Sequence, residues 1–148
     1  MLGDHDQMQK GGRFIWYYWT QALHAHWSEY DDYYQFRGAI KAFRQLHANI
    51  VHTRTVKKYK AQYKWEVTDE VDHHTSLDVY QLWHPARMEG LSINFAAFDK
   101  DDKPLQIKST TGWHSPQYGI KEEVEKFVFS TGTNQIRTII EVIPNKVR

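Results

Sequence analysis

Two imidazoles, a carboxylate and a guanidinium stand inside segments that otherwise read as strands. His52 and Arg54 interrupt NIVHTRTV, Asp69 closes YKWEVTD, and His84 closes LDVYQLWH. A strand turns successive side chains to opposite faces, so His52, Arg54 and Val56 share one face. Tyr63, Trp65 and Val67 alternate with Lys64, Glu66 and Thr68 in the second segment, which the turn after Asp69 ends, and Leu77 to Pro85 alternates equally well. A meander of these three strands would bring His52, Asp69 and His84 within one side-chain length. Two imidazoles and a carboxylate are a donor set for zinc, with a fourth position left for water or another residue. The competing reading is that these are ordinary hydrogen-bonded strand residues, and spacing alone does not choose between the two.

A second constellation is His24, His26 and Glu29 in HAHWSE. It resembles the first metal motif of the cupins, but only two residues separate His26 from Glu29, and the late His and Asn of that pattern are not visible downstream. A third candidate region is the irregular stretch TTGWHSPQYGIKEE, with Trp113, His114, Ser115, Tyr118 and Gly119. Loops of this kind carry function more often than strands do. The chain has no nucleophile elbow, phosphate loop or telling pair of glutamates.

The elements that must position these residues are short strands. Residues 1–12 end in Gly11-Gly12 and read as a mobile lead-in. The bulky, β-prone stretch Arg13 to Trp27 follows, with Ala22, His24 and His26 expected on one strand face. Ser28 to Tyr34 reads as a solvated loop, and Gln35 to Leu46 as a strand paired with the one at His52 through a turn at His47–Asn49. Leu91 to Phe98, a charged turn from Asp99 to Pro104, Leu105 to Ser109, Glu123 to Ser130 and Ile136 to Ile143 complete the pattern. Eight or more strands without a convincing helix predict an all-β, antiparallel β-sandwich over residues 13–148, a single domain.

Composition narrows the function classes. At 148 residues and 41% apolar content, one domain can bury a proper core. The absence of cysteine excludes disulfides and thiolate catalysis. Nineteen basic residues against 18 acidic ones, dispersed apart from Lys57, Lys58 and Lys60, are not the footprint of a nucleic-acid binder. No apolar run suits a membrane span, and the opening residues lack the layout of a signal peptide. Aromatics make up 15% of the chain, and their flat apolar faces suit sugar rings as well as strand packing.

In order and spacing, His52-Thr53-Arg54-Thr55-Val56, Trp65-Glu66-Val67-Thr68-Asp69-Glu70-Val71, Leu82-Trp83-His84-Pro85, Ser115-Pro116-Gln117-Tyr118-Gly119 and the closing Arg137-Thr138-Ile139-Ile140 resemble one family. This is the C-terminal β-sandwich domain of the heparinase II/III-like polysaccharide lyases, and the agreement runs from about Ala39 to Pro144. The resemblance implies a structural zinc held by His52, Asp69 and His84. It also implies an acidic, uronate-containing polysaccharide as partner, and a helical toroid domain, on the same or another chain, that supplies part of the β-elimination site. Nothing in this chain is helical enough to be that toroid. At the sandwich edge Arg54, His114 and Tyr118 are the catalytic candidates: a cation to neutralise the uronate carboxylate, a base and an acid. A periplasmic or secreted location would follow for an intact member. The alternatives are a non-catalytic carbohydrate-binding sandwich with Trp and Tyr platforms, and a cupin-like metal enzyme at His24, His26 and Glu29.

Overall fold

The structure is a computed structural model that describes residues 1–72, 76–85 and 89–145. Twelve strands and no helix occur among these residues: β1 (Gln9–Lys10), β2 (Trp16–Tyr17), β3 (Gln21–Glu29), β4 (Tyr33–Lys41), β5 (Val51–Tyr59), β6 (Lys64–Val71), β7 (Val79–Trp83), β8 (Leu91–Asp99), β9 (Pro104–Leu105), β10 (Lys108–His114), β11 (Glu122–Thr131) and β12 (Gln135–Pro144). The expected all-β antiparallel architecture is present. A seven-stranded sheet runs β3-β4-β5-β6-β12-β8-β9, a three-stranded sheet runs β10-β11-β7, and β1 and β2 form a small hairpin.

The core lies where the two larger sheets face each other. Val71 of β6, Ala97 of β8 and Ile136 of β12 contribute from the long sheet, and Val79 of β7 and Phe129 of β11 from the short one. Phe95 meets Trp83 and Phe127 across the interface, the latter edge-on at 5.3 Å. The three-stranded sheet faces β6, β12 and β8. The inner face of β3, β4 and β5 extends past it.

Two sequence expectations give way to a different arrangement. The three central strands are not a meander. β5 pairs with β6, but β6 then pairs with β12, while β7 crosses to the other sheet and pairs with β11. The final strand is the one whose apolar alternation, Ile136, Thr138 and Ile140, best fits the centre of the long sheet. Nor are residues 1–12 a free lead-in. Leu2 is fully buried in the core, Gly3 N donates to Asp78 O at 2.7 Å, and Phe43 N donates to Gln7 O at 3.0 Å. The boundary at residue 12 therefore does not separate leader from core. Residues 146–148, inside the expected sandwich, lie outside the described residues.

Smaller differences have local causes. The Ser28 to Tyr34 stretch is strand at both ends around a tight turn, because Trp27, Tyr34 and their neighbours pair across β3 and β4. In β3 the register shifts between Ala22 and His24, so Leu23 is an extra residue opposite β4. This bulge separates Ala22 from His24: Ala22 opposes Ile40 on the inner face, whereas His24 and His26 oppose Ala39 and Arg37 on the outer face. The stretch expected to be irregular begins later, since β10 continues to His114.

Candidate functional site

Neighbouring strands deliver three of the singled-out side chains to one point. Directly opposed residues of an antiparallel pair share a face, and Arg54 opposes Asp69 while His52 opposes Val71. All of these point into the sandwich. Asp69 Oδ1 accepts from Arg54 Nε at 2.7 Å, and Oδ2 accepts from Arg54 Nη2 at 2.8 Å, a two-pronged pairing. His52 Nε2 lies 2.9 Å from the same Oδ1, and the Gln7 amide nitrogen stands 2.8 Å from His52 Nδ1. With Gln7 donating to Nδ1, the imidazole proton sits on Nε2 and is given to Asp69.

The network then crosses to the second sheet. Gln81 of β7, 2% exposed, donates from Nε2 to Asp69 Oδ2 at 2.7 Å. Its carbonyl accepts from Trp83 Nε1 at 3.1 Å and from the hydroxyl of buried Thr138. Burial works against the Asp69 charge, but the hydrogen bonds from Arg54 and His52 and the nearby guanidinium charge outweigh it. The carboxyl is held well below the usual carboxylate range. The same hydrogen bond raises the Arg54 pKa above its ordinary value, so the pair is fully ionised in folded protein.

Arg54 is only half covered, and two recesses meet at it. One, of about 440 Å³, is bordered by Asp6, Gln7, Trp16, Phe43, His52 and Asp69 among others. The other, of about 400 Å³, runs over Ala25, Phe36, Gly38 and Ile40 on the uncovered part of the long sheet. Arg54 Nη1 makes no hydrogen bond among the described residues, so the guanidinium can take one further acceptor.

The other expected site residues lie elsewhere. His84 is on the outer face of the three-stranded sheet, its ring packed so closely over Gly112 that a Cβ there would fall 2.7 Å from it. His52 and Asp69 face the opposite way, into the sandwich. The expected trio is therefore split because β7 belongs to the other sheet. Within the pair, the imidazole and carboxylate are directed at each other, and every oxygen of Asp69 already receives donors. A zinc held by His52, Asp69 and His84 does not fit this arrangement, and no group of three or more potential metal ligands gathers among the described residues.

His114 ends β10 opposite Glu122, and Tyr118 is fully exposed in the following loop. Neither borders the two recesses at Arg54. In the His24, His26 and Glu29 set, Glu29 opposes Tyr34 on the inner face and pairs with Lys60 at 2.7 Å, on the other side of β3 from both imidazoles. Sequence reasoning missed Gln81 and Gln7. Gln81 carried a readable signal, a polar residue between Val79 and Trp83 on the apolar face of a strand; Gln7 carried none.

No protein-family profile matches the sequence, and no curated protein matches it. The fold does have solved counterparts: it is a β-sandwich, heparinase-like in its arrangement. The particular neighbours are two solved structures of heparinase III, the second with methylated lysines. They superpose with TM-scores of 0.66 and 0.65 at 14% identity, over 85% of this chain. The chain spans about a fifth of their length, 22% and 21% respectively. At that identity the likeness is one of fold.

Proposed function

We propose that this chain is the sandwich part of a heparinase-like polysaccharide lyase and that it binds a uronate-containing polysaccharide through Arg54. The observation that carries the reading is the posture of that guanidinium. Two of its nitrogens are fixed by a buried carboxylate, and the third is left at the junction of two open recesses. Removing the proton beside a uronate carboxylate requires that the carboxylate charge be neutralised, and a guanidinium already held in place does this without reorganisation. The fold likeness to heparinase III supports the same class of partner.

The chemistry of this chain stops at that neutralisation. His52 presents its proton to Asp69 and its other nitrogen to Gln7, so it is not offered to a substrate as a base. His114 and Tyr118 take no part at the Arg54 recesses. On this reading the base and the acid come from a helical domain on the same or another chain, and the sandwich alone binds polysaccharide with little turnover.

Calorimetric titration with a polymer of alternating glucuronate and N-acetylglucosamine tests this. Binding is expected to the native polymer and to be lost for the same polymer with its carboxylates reduced to alcohols. Equal binding of the two would overturn the role of Arg54. Ultraviolet absorbance of the unsaturated product ring separates the lyase reading from a purely binding one. Its appearance on adding a heparinase-type helical domain supports the lyase, and its absence under every combination supports a non-catalytic carbohydrate-binding sandwich, which exposed Trp27, Trp113 and Trp19 favour.

A further inference from the structure

Beyond Arg54, the long sheet continues uncovered for two more strands. On β4 the inner face carries Tyr34, Phe36, Gly38 and Ile40, and on β3 it carries Ala25 and Trp27, because Trp27 opposes Phe36 and Ala25 opposes Gly38. Phe36 is folded over Gly38 so closely that a Cβ at residue 38 would lie 2.9 Å from its ring, which leaves a flat floor in place of a side chain. Trp27 is 61% exposed and backed by Tyr34, their rings stacked at 5.5 Å and inclined by 20°. Phe36 is itself 39% exposed. Isolated surface aromatics are ordinary, but two adjacent ones on the single open half of an inner sheet face form a continuous strip.

The charge on this strip is one-sided. Among the described residues, the recess over Gly38 is bordered by Arg54 and by no aspartate or glutamate. The neighbouring recess is bordered by Asp6 and Asp69, two carboxylates against the one amino group of Met1 there. An anionic group is therefore favoured on the β3–β4 side of Arg54. Going from Arg54 to Trp27 means crossing two strand spacings sideways and about two residues lengthwise, roughly 12 Å from strand geometry. Along that path apolar ring faces succeed one another, with Arg54 at one end and, past Trp27, the Lys60–Glu29 pair at the other, Lys60 standing over the Tyr34 ring.

We propose that this strip is a track for consecutive sugar rings of an acidic oligosaccharide. The uronate carboxylate sits at Arg54 Nη1, its own ring lies over Phe36 and Gly38, and a further ring lies against Trp27. A pyranose has apolar faces and polar edges, which is what a flat aromatic strip with a terminal guanidinium complements. The proposal rests on the reading of Arg54 as a carboxylate site and adds the direction in which the chain leaves it, toward the β3 edge.

The test is calorimetry with a tetrasaccharide and a disaccharide of alternating glucuronate and N-acetylglucosamine, on wild type, Trp27→Ala and Phe36→Ala. Both side chains are substantially exposed, and thermal melts confirm that the variants fold. The expected result is tetrasaccharide affinity reduced at least tenfold in each variant, with disaccharide affinity weakened in both as well, because its two rings span Phe36 and Trp27. Wild-type binding with both variants unaffected would overturn the track while leaving the Arg54 site standing. Wild type that binds neither sugar overturns the track together with the Arg54 reading. Concentration-dependent self-association in sedimentation that Trp27→Ala abolishes and the tetrasaccharide does not compete away would also overturn it, because the strip would then hold a second copy of this chain.

Discussion

Asp69 is the side chain on which the polar interior depends. It is 5% exposed and receives donors from Arg54, His52 and Gln81. Asp69→Asn removes the charge that Arg54 needs, and the expected loss is about 2–4 kcal/mol in urea unfolding at pH 7, below the top of the range for buried pairs because Arg54 is half in water. Because folding lowers the Asp69 pKa, its contribution is complete above the unfolded value of about 3.9 and disappears as pH falls toward the lower folded value. Wild-type stability should therefore drop between about pH 5 and pH 2 along this component, and the Asn variant should show a shallower drop in the same window. Gln81→Leu should cost about 1–3 kcal/mol, since Trp83 and Thr138 would each keep a buried donor without its acceptor. His52, Arg54 and Asp69 were legible as a group because strand alternation puts polar groups where apolar ones belong. The hydrogen-bonded ion pair that they form was not legible, because it depends on Gln81 arriving from another sheet. Dialysis against a chelator should accordingly leave the melting temperature unchanged. A fall of several degrees, with zinc in the dialysate, would mean that Arg54 leaves Asp69 to admit an ion.

Among the elements, pairing sets a gradient of stability. β12 is paired on both sides, with β6 over Gln135–Glu141 and with β8 over Ile136–Pro144, whereas among the described residues β3 has a neighbour only in β4 and nearly all its side chains are exposed. Hydrogen exchange should therefore find the amides of β12 among the slowest and the outward amides of β3 among the fastest. Uniform protection across the long sheet would contradict that order. Most strand positions could be read from alternation, as with Val51 onward, Leu91 onward and Ile136 onward. The strand order could not: alternation says which face a residue takes but not which strand lies beside it, and β6 carries nothing that names β12 as its partner. β7 misled for the same reason, being as regular as the rest and belonging to the other sheet.

For the whole molecule, the chain closes its long sheet with its last strand, and its opening residues lie against β7 and the core. Contacts between such distant parts of a chain make folding slow, on the order of milliseconds to seconds. Truncation after Asn134 would leave β6 and β8 without the strand between them, and the expected outcome is loss of the cooperative unfolding transition by circular dichroism. The heparinase-like fold was legible only through the order of several short motifs, none of which would have sufficed alone. The extra residue Leu23 has a consequence for this molecule in a concentrated solution. A nine-residue border strand with open backbone groups invites copies to add on end after end, and a dislocation near its start spoils the fit of any incoming ribbon. Deleting Leu23 would straighten that border, and the chain would be expected to grow thioflavin-positive fibrils at concentrations where the native protein stays dispersed.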